Sequence, residues 1–299
     1  MPYIIENANV FKENEVIKTS FLISENRIAN VQSSFKKYLF MKMNAESFLM
    51  TPSYVLLDTR APLYGSFKSL KEYMIKEFLL KGCTVYFTYV NISSEREFTD
   101  KLKKVKTALL SSPIDFLIGV RIPLRLINAS FIRKCKKEKI PAIFIELKDS
   151  HDLDEVPWGW IREALFPFNC PLIPIPIESK TKGTNAILAY WTEVMQKEKI
   201  SSINEVIVEN RPLAIPILNK IGLLPKKACL KQGAELSYNL YLMDKEIMNI
   251  DVTQLFLYHS DRLVVTVHKG NVIRAGKNVL FKSGDGEFLK VKTPSFFSF

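Results

Sequence analysis

Charged side chains stand at the ends of several apolar runs in this sequence. Asp58 and Arg60 follow 54–57, Arg121 follows 116–120, Glu146 and Lys148 flank Leu147, and Glu178 follows 171–177. Side chains alternate along a strand, so Asp58 shares a face with Arg60, and Phe144 shares one with Glu146 and Lys148. If those faces converge, the six ionic groups balance in charge without a metal. One reading is a salt-bridge plug that fills an interior. The other is a polar pocket for a small charged ligand, with Tyr64, Tyr89 and His151 at its rim. His151, in Ser150-His151-Asp152, is a candidate general base beside a carboxylate. Asp58, Lys148 and His151 are thus the catalytic candidates, although a lone His before an Asp is more often an exposed loop residue.

The elements that must position these groups fall into three stretches. The first fifty residues alternate in short apolar runs separated by 12–15 and 24–26, the pattern of β-hairpins. Runs at 239–243, 263–268 and 272–273 make the far end β-rich as well. Between them the period changes. Strand-length runs at 54–58, 84–90, 116–121, 142–147 and 171–177 alternate with amphipathic stretches at 67–81, 95–110, 128–138, 158–166 and 185–199. That alternation is the signature of βα units around a parallel sheet, about five of them against the eight of a closed barrel. The expected fold is α/β: an incomplete or distorted TIM-like (β/α) barrel over 51–235. A small composite β-sandwich would be built from both chain ends, 1–50 and 236–299, because short hairpins at one end bury too little alone. Lost barrel strands leave bare edges, so a helix, the Phe-rich tail, or a homo-oligomeric or other protein partner is expected to cover them.

Composition narrows the classes. The chain has 299 residues, 42 Lys+Arg against 31 Asp+Glu, and a formal charge of +11. No apolar run reaches the ~20 residues of a membrane span, so no membrane is expected as a partner. The start has no signal-peptide pattern, and Cys83, Cys135, Cys170 and Cys229 are scattered without a CxxC, which suits a reducing, cytoplasmic setting. Basic residues gather at 101–106 and 133–139, on amphipathic stretches where solvated helix faces are the plain reading. Nucleic acid or an acidic protein is the alternative partner, but no base-reading motif accompanies the charge, and no Walker loop, GxSxG or GxGxxG occurs.

β-rich ends flanking a βα core resemble the amidohydrolase superfamily. Phe21-Leu22-Ile23-Ser24-Glu25-Asn26-Arg27-Ile28-Ala29-Asn30-Val31 resembles that family's N-terminal hairpin, and 51–60 its entry into the first barrel strand. Asn210-Arg211-Pro212-Leu213-Ala214, Pro225-Lys226-Lys227-Ala228 and Lys231-Gln232-Gly233-Ala234-Glu235 resemble a run of its dihydroorotase–allantoinase branch. The resemblance implies metal-dependent hydrolysis of cyclic amide C–N bonds. It also exposes what is missing. The family's metal-holding His-x-His falls on Asp58 and Arg60, and an Arg cannot ligate a cation. Lys148 stands at a strand end where some relatives carry a carboxylated Lys, and no His lies between Asp152 and Tyr258 for the later ligands. The expectation is a protein without cofactor that has lost this hydrolysis and binds a ligand or partner. Zn or Mn enters only if a hydrolase site has been rebuilt around Asp58, Glu146, Lys148 and His151.

Overall fold

A computed structural model describes residues 1–12, 15–177, 181–247, 250–292 and 294. Glu178 and the tail 295–299 lie outside the described residues, so the expectations attached to them are not addressed by it.

The N-terminal strands are β1 (Tyr3–Lys12), β2 (Glu15–Ser24), β3 (Arg27–Gln32), β4 (Met41–Asn44) and β5 (Phe48–Pro52). A second set follows with its helices: β6 (Tyr54–Leu57), α1 (Phe67–Glu77), β7 (Cys83–Asn91), α2 (Phe98–Ala108), β8 (Asp115–Pro123), α3 (Ala129–Lys137), β9 (Ile143–Leu147), α4 (Trp158–Leu165), β10 (Leu172–Pro176) and α5 (Thr181–Lys197). After α6 (Ile215–Lys220) come β11 (Tyr238–Leu242), α7 (Val252–Tyr258), β12 (Leu263–His268), β13 (Asn271–Ala275) and β14 (Asn278–Val279). No helix among the described residues is long and apolar enough to cross a membrane.

Strands β6 to β10 form one parallel sheet in sequence order, a curled half-barrel of five strands among the described residues. The helices start where local chemistry allows. The Ser66 and Asn128 side chains accept from the Ser69 and Phe131 N–H groups at 3.1 and 2.9 Å, capping α1 and α3. Helices α1 to α5 lay their apolar stripes on the outer face of the sheet, where Tyr86, Ile118, Ile143 and Leu172 are buried. The other sheet is separate and mostly antiparallel, ordered β14-β13-β12-β11-β5-β1-β2-β3 with β4 beside β1. Its two halves meet where β5 pairs with β11 from Phe48↔Leu242 to Pro52↔Tyr238. Both chain ends therefore share one hydrogen-bonded sheet.

Among the described residues, other segments of the chain itself cover the edges of the half-barrel. An irregular segment reaches β10 through Leu172 N–H to Ser201 O (3.0 Å) and Ile203 N–H to Leu172 O (2.9 Å). The same segment then reaches β6 through Asn210 N–H to Leu57 O (2.9 Å) and Leu213 N–H to Val55 O (3.0 Å). Pattern reading missed it because it has neither period. Its Ile203, Ile207 and Leu213 drop into the concave side and complete an apolar core with Val55, Phe87 and Leu117.

A second strap, around 286–289, fills the lower side of β8 that β9 is too short to reach. Phe116 N–H donates to Glu287 O and Leu289 N–H to Phe116 O, both at 2.9 Å. Here the fit leaves no room for a side chain, since a Cβ on Gly286 would lie 1.9 Å from the Ile114 carbonyl oxygen. Gly286→Ala is expected to cost about 1–3 kcal/mol. A denaturant titration against the wild type measures it, with the exposed Gly159→Ala, where a Cβ would meet nothing and no positive φ intervenes, as the uncrowded control.

Candidate functional site

Inward-facing positions decide what the half-barrel can hold. On β7, β8 and β9 they read Val85-Phe87-Tyr89, Leu117-Gly119-Arg121 and Phe144-Glu146, and the apolar members of these rows belong to the inner core or pack on it. Gly119 is the reason the aromatic side chains meet. A Cβ there would lie 3.1 Å from the Phe144 ring and 3.4 Å from Phe87. With no side chain between them, Phe87 and Tyr89 approach Phe144 at ring-centroid distances of 5.8 and 4.7 Å. Aromatic rings thus occupy the interior.

Above that layer, at the C-terminal ends of the strands, the Arg121 Nε donates to Glu146 Oε1 at 2.8 Å. The Arg121 Nη1 donates to the Tyr89 hydroxyl at 3.4 Å, and the guanidinium lies 5.9 Å from that ring's centroid. Burial opposes the guanidinium's charge, but the Tyr89 hydroxyl and Glu146 carboxylate outweigh it and raise the Arg121 pKa. This pair is what the structure brings together from the expected set.

The others go elsewhere. Asp58 has the parity of Leu56, not of Leu57, and so faces the helix layer instead of the axis. It is wholly buried there. The Tyr73 hydroxyl of α1 donates to its Oδ2 at 2.7 Å, the Arg60 N–H donates to its Oδ1 at 2.7 Å, and the Arg60 Nη2 stands 3.4 Å from its Oδ2. Burial, and then the Asp58 carboxylate, push the Tyr73 hydroxyl pKa well up, so it remains a donor. The Arg60 side chain is 62% exposed. Assigning Asp58 and Arg60 to the axis is therefore a correction. The run 54–57 is buried on both faces and hides its own parity. Lys148 is exposed, and so is His151, whose N–H donates to the Asp149 carboxylate at 3.1 Å within a short turn. Asp58, Lys148 and His151 do not form one constellation.

The metal that the fold family implies does not fit the residues at this mouth. Of the described carboxylates there, Glu146 is paired with a guanidinium, Asp58 faces the other side of the sheet, and Glu209 accepts from the Thr59 hydroxyl at 2.6 Å, with no described histidine beside any of them. Next to the mouth, a groove of about 1090 Å³ runs between 59–64 and α2. Tyr64, Tyr89, Thr59, Lys101 and Lys104 line it.

One ionic cluster escaped the sequence reading, at the opposite end of the strands. Asp115, wholly buried at the start of β8, has Lys227 Nζ at 2.5 Å, Lys269 Nζ at 2.8 Å and the Glu287 N–H at 2.8 Å. Lys227 also meets Glu235 at 2.5 Å, and His268 Nε2 lies 3.8 Å from Asp115. Donor atoms of Asp115, Glu235 and His268 lie within 4.8 Å of one another, but two ammonium groups already supply the positive charge. Its members are far apart in sequence, and only the buried aspartate at a strand start hinted at it.

No protein-family model matches the chain, and no curated protein matches it. Solved structures do. A D-hydantoinase aligns with a TM-score of 0.65 at 10% identity, over 98% of this chain and 99% of its own. Dihydropyrimidinase from Brevibacillus agri NCHU1002 gives 0.59 at 10% over 98% and 99%, and L-hydantoinase from Arthrobacter aurescens 0.56 at 13% over 96% and 99%. These are amidohydrolase superfamily members. Half-barrel, joined chain ends and strand order together give this chain a fold similar to that of the hydantoinases, the amidohydrolase fold.

Proposed function

We propose that this protein is a non-catalytic relative of the cyclic-amide hydrolases that binds a small charged ligand or a partner. Its two domains on this reading are a composite β-sandwich, 1–50 and 236–299, and a truncated barrel, 51–235. The observation that carries the proposal is the Arg121–Glu146 pair seated on the Phe87–Tyr89–Phe144 rings. A hydrolase of this class needs a cation and an activated water at the strand ends, and here a fixed guanidinium holds that place. The groove beside the mouth supplies the binding half. Its Lys104 suits an anion and its tyrosines a flat ring. The basic helices favour nucleic acid less than their sequence suggests. Lys101, Lys106 and Lys134 each have a carboxylate at 3.0 Å, and Lys136 donates to the Ala164 and Phe166 carbonyls at 2.9 and 2.8 Å. Four free, buried cysteines suit a cytoplasmic setting.

The test is turnover of dihydroorotate, hydantoin and allantoin with added Zn or Mn. No turnover is expected, and Arg60→His alone is expected to restore none, because its neighbour Asp58 stays directed at Tyr73. Metal-dependent turnover that Asp58→Ala abolishes would establish a rebuilt hydrolase site and overturn the proposal.

A further inference from the structure

Between β3 and β4 the chain makes a turn, with the Tyr38 N–H donating to Phe35 O at 3.1 Å, and then runs Lys36-Lys37-Tyr38-Leu39-Phe40-Met41-Lys42. Phe35 is buried at the foot of this turn. The Tyr38 ring packs edge-on against it at 5.5 Å, and Phe40 packs on Tyr38 at 5.8 Å. This aromatic ladder climbs from the core to the surface and props the segment up. At its top Leu39 is 101% exposed and Met41 73% exposed, so no described part of the protein screens Leu39 and little screens Met41. Apolar residues left this bare, two positions apart on a propped turn, mark a contact surface. Lys36 and Lys37 are exposed beside them with no carboxylate partner among the described residues, while Lys42 pairs with Glu6 at 3.2 Å.

We propose that this tip docks the protein peripherally on an anionic lipid surface. The shape favours lipid over protein. The apolar tip is a handful of side chains, far short of the ~20–30 residues a side of a stable protein interface. It projects outward, which suits a soft acyl boundary that closes around it. Its chemistry also matches the two layers of a bilayer face. Leu39, Phe40 and Met41 would enter the acyl boundary, and Tyr38 with Lys36 and Lys37 would remain at headgroup level. The inference is independent of the function proposed above. It departs from the expectation of no membrane partner, because that expectation rested on the lack of a spanning run, and a surface anchor needs none.

Co-sedimentation of the full chain with extruded vesicles tests it. Binding to phosphatidylserine-containing vesicles is expected, with little to phosphatidylcholine alone, and it should fall as salt is raised. Leu39→Asp should weaken partition at least about tenfold. Lys36→Ala with Lys37→Ala should weaken it about thirtyfold at low salt. Arg133→Ala with Lys137→Ala, on the α3 face, should leave it unchanged. All these positions are exposed, so thermal unfolding should match the wild type. No binding to phosphatidylserine vesicles overturns the proposal, as does binding that survives both tip variants. A dimer that Leu39→Asp splits, without vesicle binding, would assign the tip to a second copy of this chain and overturn it equally.

Discussion

Asp115→Ala should lower the stability of this protein by about 3–5 kcal/mol, because it removes the buried carboxylate that joins both lysines and leaves Lys227 with only Glu235 and Lys269 with only the exposed Glu287. The melting temperature should drop by roughly 10 °C. The two lysine side chains are only 13% and 21% exposed, so water cannot fully replace the lost partner. The carboxylate also holds the 286–289 strap through the Glu287 N–H, so the loss should loosen the strap first, and hydrogen exchange there should rise before global unfolding. Acid should act on the same cluster in two stages. Burial pushes the His268 pKa down, only partly offset by Asp115 and Glu235, so its neutral form belongs to the fold. Its contribution is therefore complete above the unfolded value of about 6.5 and is lost as pH falls through the lower folded value. Burial alone would raise Asp115, but Lys227, His268 and Lys269 outweigh it and hold the carboxyl below its ordinary value. Its contribution is present above about pH 3.9 and is lost as pH falls through that depressed value. Unfolding free energy measured against pH should show both slopes. His268→Leu should remove the upper one, and a profile flat from pH 7 to 4 would contradict this account.

Phe144→Ala should also cost about 3–5 kcal/mol, a price set by core packing. Phe144 is 1% exposed and touches Phe87 and Tyr89 across Gly119, so removing its ring opens a cavity lined by aromatic faces. A chemical-denaturation midpoint that barely moves would show that the interior is wet, and would remove the main support for a non-catalytic protein.

The alternation of strand-length and helix-length runs was enough to read the half-barrel. Stretches at 67–81, 128–138 and 158–166 became helices at Phe67–Glu77, Ala129–Lys137 and Trp158–Leu165. Periodicity and caps are local, so they survive without knowledge of the fold. The site was legible only in part. Arg121 and Glu146 were named and do meet, because each lies on a strand with one recognisable inner row. Asp58 was named with the wrong orientation, because all four residues of its strand are buried and no polar position marks a face. The Asp115 cluster joins β8, the 227–235 stretch and the end of β12, a meeting that no spacing rule encodes. The 201–213 segment lacked any period, yet it shields both half-barrel edges.

The pairing of β5 with β11 also sets a timetable for synthesis. β5 is complete about 190 residues before its partner β11 begins. At ~5–20 residues per second, the ribosome leaves the first hairpins waiting for roughly 10–40 s. During that interval one flank of β5, with buried-to-be Leu49 and Met50, has no neighbour to bond. A nascent chain stalled before residue 238 should therefore recruit chaperones through its first fifty residues, and one released after residue 268 should shed them.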